Sequence, residues 1–108
     1  MRLTNDKKIF LPDDDDWYKW GADYEQEEYD DVIQHIPNFD VALDIGAHVG
    51  IWSRRLAQKF KTVVAFEPVP KHIECWKKNM ENSLQETTNW ENYSTLHKVA
   101  LGHENGTA

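Results

Sequence analysis

Cysteine is almost missing from this chain of 108 residues. Cys75 stands alone, so no internal disulfide framework is available. No window of about 18 apolar residues exists, which excludes a membrane-spanning helix. The N-terminal run Met1-Arg-Leu-Thr-Asn-Asp-Lys-Lys8 lacks the apolar region of a signal peptide. Basic charge is scarce too. The net charge is −7 and no basic stripe occurs, which argues against a nucleic-acid partner. These features fit a reducing, cytoplasmic setting without a membrane partner. Cys75 falls at helical spacing from apolar neighbours and reads as a packed thiol, not a nucleophile.

The acid is uneven. Residues 1–40 hold twelve acids against four bases, and residues 41–108 hold seven against eight. The run Asp13 to Asp16 after Pro12 reads as a solvated loop, since neighbouring carboxylates diverge and make a poor cation site. Three regions follow. Residues 1–21 form an acidic, aromatic-rich leader of loose structure. Residues 22–37 form a leader helix, with Tyr29, Val32, Ile33 and Ile36 as a narrow apolar stripe and Pro37 as its stop. Residues 38–108 alternate strand and helix.

The most informative stretch is Val41-Ala-Leu-Asp-Ile-Gly-Ala-His-Val-Gly50. A short apolar run leads into Asp44, then Gly46 and Gly50 bracket a turn. Ile51, Trp52, Leu56 and Phe60 then begin a helical face. Glycines allow a sharp bend and close approach of a ligand, and a helix start offers N–H groups to an anion. Strands are expected at 41–45, 62–66 and about 95–100. Helices are expected from the turn to about Phe60 and from Pro70 to about Asn82, the second with Ile73, Trp76 and Met80 on one face. This alternation requires a parallel sheet with right-handed crossovers. The fold class is therefore α/β: a Rossmann-like three-layer parallel sheet, apparently truncated after the third strand. Gly102-His-Glu-Asn-Gly106 signals a turn with only two residues beyond it. The sequence stops where another strand is expected. An exposed first strand, apolar on both faces, would favour self-association through an open sheet edge.

Glu67 closes the strand Val63-Val-Ala-Phe66, twenty-three residues after Asp44. An acid about 20 residues beyond a glycine turn is placed to accept ribose hydroxyls. The dinucleotide pattern wants three glycines, and the turn has two with Ala47 between them. A dinucleotide oxidoreductase is therefore disfavoured. Asp44-x-Gly46-x-x-x-Gly50 with the later Glu67 resembles the S-adenosylmethionine site of class I methyltransferases. The closer resemblance is to the FkbM-type methyltransferase family, carried by Asp44 to Gly50, by Phe66-Glu-Pro68, by Val99-Ala-Leu-Gly102 and by Gly106-Thr107.

The resemblance implies S-adenosylmethionine as cofactor. It implies that Gly46, Ala47 and Gly50 lie against the methionine part, and that Asp44 fixes the turn or reaches the ammonium. Glu67 would take both ribose hydroxyls, Pro68 would stiffen the wall beside the adenine, and Ala100 and Leu101 would touch the adenine. His48 stands where the family commonly has asparagine and could donate to the cofactor carboxylate. The implied reaction is O-methylation of a hydroxyl on a sugar, glycan or small metabolite. No catalytic residue is identified. His35, His72, His97 and His103 lack ligand spacing, so no metal is implied. Trp17, Tyr18, Trp20 and Tyr24 read as packing of the leader onto the sheet, or as an aromatic lid. The competing function is a non-catalytic or incomplete cofactor-binding fragment that needs a C-terminal half or a partner.

Overall fold

The computed structural model describes residues 1–15, 21–84 and 94–100. Its centre is a parallel sheet in the order β3 (Val41–Ile45), β4 (Thr62–Phe66) and β5 (Ser94–His97). Helix α2 (Ile51–Ala57) connects β3 to β4, and α3 (Pro70–Leu84) follows β4. This is the α/β, Rossmann-like arrangement that the sequence implies. The β3 and β4 bounds match the expected ones. Helix α2 stops three residues early, at a tight turn where the N–H groups of Lys59 and Phe60 both reach the Leu56 carbonyl. Strand β5 ends at His97 and not at Ala100, which is exposed.

The register shows what each strand face meets. Ala42 pairs with Val63 and Asp44 with Ala65. Paired residues share a sheet face, and successive residues alternate faces. Val63 and Ala65 are fully buried, so this row faces the helices. There Ala65 packs with Ala47, Trp76 and Met80. The other row holds Val41, Leu43 and Ile45, which are 58%, 60% and 59% exposed. In the described residues β3 is an edge strand, and its outer apolar face is open.

Residues 1–15 of the leader are more ordered than its composition suggests. β1 (Arg2–Leu3) and β2 (Phe10–Leu11) form a short antiparallel hairpin. Ile9 and Leu11 are buried in one cluster with Val49, Ile51 and Cys75. Asn79 of α3 pins the hairpin. Its amide accepts from the Phe10 N–H at 2.7 Å and donates to the Phe10 carbonyl at 3.0 Å.

Helix α1 spans Gln26–Ile33, four residues later than its expected start. The carbonyls of Ala22 and Tyr24 supply the reason. In a helix begun at residue 22 they would accept from residues 26 and 28. Arg55 Nη2 takes both instead, at 2.8 Å from the Ala22 oxygen. Only Tyr29 of the expected stripe is buried; Val32 is exposed. Trp17, Tyr18 and Trp20 lie outside the described residues.

Candidate functional site

The turn after β3 is built on three residues in the left-handed region: Gly46 at φ 71°, His48 at 56° and Gly50 at 95°. The two glycines answer different needs. A Cβ on Gly46 would meet nothing within 4 Å, so its surface is open to a ligand. A Cβ on Gly50 would stand 2.9 Å from Trp76 Cδ1. Gly50 therefore serves the packing of α3, whereas Gly46 serves the open side. Ala47 turns its methyl into the core.

Four of the turn amides bond inside the protein. Gly46 and Ala47 both donate to the Phe66 carbonyl, at 2.9 and 3.0 Å. Gly50 donates to the Ala47 carbonyl at 2.9 Å, and His48 donates to Glu67 Oε1 at 2.8 Å. These four amides precede the first turn of α2, whose N–H groups are the ones the sequence reading offers to an anion. The bonds to Phe66 and Glu67 tie β3 to the end of β4, and a ligand would meet the turn at Gly46 Cα and at side chains.

Asp44 lies on the helix-facing side of β3, which lets it reach α2. Its Oδ2 accepts the Ser53 hydroxyl proton at 2.5 Å, and Ser53 Oγ accepts from the Trp76 indole at 2.9 Å. Burial raises the Asp44 carboxyl above its ordinary value against the pull of Ser53, and the nearby Glu67 adds to the rise. Asp44 is thereby tied to α2 and at the same time lines a cleft.

Glu67, only 5% exposed, sits at the C-terminal end of β4. Oε1 holds the His48 amide, while Oε2 holds the Val69 amide at 3.1 Å and approaches His72 Nδ1 at 3.2 Å. Burial works to raise its carboxyl, but the two amides and His72 outweigh it and hold it below its ordinary value. The His48 imidazole lies against that of His72, ring centroids 3.9 Å apart. Burial lowers the His48 pKa, and His72 pushes the same way.

A cleft of about 290 Å³ collects Asp44, Gly46, Ala47 and His48 with Tyr24, Glu25, Val49, Ile51 and Trp52. The sequence did not point to Glu25 or Trp52. They are joined by a 2.9 Å bond from the Trp52 indole to Glu25 Oε1. The one hint was Tyr24, last of the leader aromatics. Pro68 lines a separate hollow with Pro70, Ile73 and Lys98. Ala100 lines neither, and Leu101 lies outside the described residues. The open side of Gly46 leaves its backbone accessible from this cleft.

No family model and no curated protein matches the chain. Solved structures do. One is a Listeria monocytogenes protein described as a candidate S-adenosylmethionine dependent methyltransferase. It is 18% identical, over 69% of this chain and 32% of that one, with a TM-score of 0.46. Another is phosphoethanolamine N-methyltransferase 1 of Haemonchus contortus, solved with phosphoethanolamine and S-adenosylhomocysteine. It is 16% identical, over 79% of this chain and 18% of that one, with a TM-score of 0.51. The chain shares the Rossmann-like α/β fold of the second of these. At such identities the likeness speaks for the fold alone, and the chain spans less than a third of either neighbour. In open α/β sheets ligands bind outside the carboxyl ends of the strands. The Asp44–Gly46 cleft and Glu67 stand at those ends of β3 and β4.

Proposed function

We propose that the chain is the S-adenosylmethionine-binding part of a methyltransferase of the FkbM type. Its reaction is O-methylation of a hydroxyl on a sugar, glycan or small metabolite. The observation that carries the cofactor reading is Gly46. Its left-handed φ and its clear surroundings face a cleft bordered by Asp44, one strand away from the Glu67 carboxylate. The resemblance of Asp44 to Gly50 and of Phe66-Glu-Pro68 to the family motifs supports the same reading, as does the fold.

The bound cofactor would supply a sulfonium methyl for in-line transfer to the acceptor. This chain would position it: Gly46 by close approach, Asp44 by a fixed charge at the cleft, Glu67 by accepting the ribose hydroxyls. Calorimetric titration with S-adenosylhomocysteine tests the reading, beside Glu67→Ala. Micromolar binding that the variant loses supports it. A folded chain that gives no heat overturns it.

A second reading rests on a different observation. The outer face of β3 is open among the described residues. A non-catalytic or incomplete cofactor-binding module that works with a C-terminal half or a partner fits that face. Methyl transfer by the 108-residue chain alone would exclude it.

A further inference from the structure

We infer that Asp15, His48 and His72 form a binding site for a zinc-class divalent cation, with Glu67 as the residue that orients His72. The three ligands come from three separate segments: the end of the described leader, the turn after β3 and the first turn of α3. One donor atom from each lies within 4.8 Å of the other two. His48 Nε2 stands 3.8 Å from Asp15 Oδ2. All three residues are half-buried, so the donors are partly withdrawn from water yet reachable.

Their chemistry selects the ion. Two imidazoles and one carboxylate suit zinc and its neighbours better than magnesium or calcium, which favour all-oxygen shells. Zinc takes such ligands at about 2.0–2.2 Å in a tetrahedron, so the donors would close by roughly 1 Å and leave a fourth position to water. Glu67 makes the set more than a chance meeting. Its ionised carboxylate can only accept, so the 3.2 Å contact fixes the His72 proton on Nδ1. That leaves Nε2 as a lone-pair donor. A carboxylate behind a histidine is a recurrent support for a metal ligand.

Bound zinc would staple the acidic leader to the glycine turn. Binding to the folded state alone raises the melting temperature. The inference does not depend on the cofactor reading.

The test is titration of the full chain with Zn²⁺ by calorimetry and with Co²⁺ by visible absorption, together with thermal melting. The expected result is one site in the micromolar range or tighter, with a melting temperature raised by more than about 5 °C at saturating Zn²⁺. Asp15→Asn and His48→Asn should each weaken binding at least tenfold. His48→Asn suits the left-handed turn, so it keeps the chain folded. His35→Gln, in the exposed turn after α1, should leave binding unchanged. Zn²⁺ affinities within threefold of wild type in both Asp15→Asn and His48→Asn would overturn the site. So would the absence of any binding below about 100 µM, or a melting shift that persists in a His48→Asn/His72→Gln double variant.

Discussion

Asn79 pairs with the backbone of Phe10 as a neighbouring strand would, giving and receiving one hydrogen bond each. Its Nδ2 also donates to the Val49 carbonyl at 2.7 Å, just inside the glycine turn. One buried amide thus holds the leader hairpin and the turn on α3. An unsatisfied buried polar group costs about 1–3 kcal/mol, and Asn79→Leu would strand three. We expect a loss of about 3 kcal/mol or more in urea unfolding. A loss below about 1 kcal/mol would show that the hairpin contributes little to the fold.

The two turn glycines should separate stability from binding. Gly46→Ala adds a methyl in open space, at a backbone cost of about 1–2 kcal/mol. It should fold and lose S-adenosylhomocysteine affinity. Gly50→Ala carries the same backbone cost and drives a methyl into Trp76. It should be the less stable of the two in denaturant. Equal stabilities would contradict the assignment of Gly50 to core packing.

Ser53 is fully buried and links Asp44 to Trp76. Ser53→Ala removes the acceptor of the indole proton and a donor to a half-buried carboxylate. The expected destabilisation is about 2 kcal/mol. Asp44 then loses the bond that lowers its pKa, so its carboxyl rises further. Carboxyl infrared titration of wild type and variant checks that direction.

Asp6 fastens the leader to itself. Its carboxylate accepts from the Thr4 hydroxyl and the Lys8 amide, and from the Ala22 amide at 2.9 Å. Burial tends to raise its pKa, but these bonds prevail and hold it below the ordinary value. A depressed folded-state pKa contributes stability above the unfolded value. That contribution is lost as pH falls through the folded one. Melting temperature should therefore fall as pH drops below the ordinary carboxylate range. Asp6→Asn should flatten that fall. An unchanged acid slope in the variant would remove Asp6 from the account.

Open apolar strand faces invite pairing with other chains. Val41, Leu43 and Ile45 should make the isolated chain self-associate, and Leu43→Lys should suppress this. Sedimentation at rising concentration decides it. A wild type that stays monomeric throughout would refute self-association through this strand.

Much of the architecture was legible because its signals are local. Val41–Ile45 and Thr62–Phe66 are short apolar runs next to glycine, proline or charge, and α3 shows Ile73, Trp76 and Met80 at helical spacing. What stayed hidden depends on distant partners. Strands of two residues carry no period, and the hairpin rests on an asparagine 69 positions away. Helix α2 buries Ser53 and Arg55, residue types that a hydrophobic pattern assigns to the surface. The start of α1 is set by Arg55, not by any cap in its own sequence. The placement of Asp44, Gly46 and Glu67 at the carboxyl ends of β3 and β4 was legible from spacing. The meeting of Asp15 with His48 and His72 was not, since it arises only when three segments fold together.

The Trp76 indole gives the molecule a built-in reporter. The ring is out of reach of any ligand, yet its N–H ends a relay that runs through Ser53 to the Asp44 carboxylate. A charge arriving in the cleft would polarise that carboxylate, and the disturbance would pass along two short bonds into the core. The nitrogen-bound proton of Trp76 should therefore change its resonance frequency when the cleft fills, so occupancy can be followed without attaching a probe.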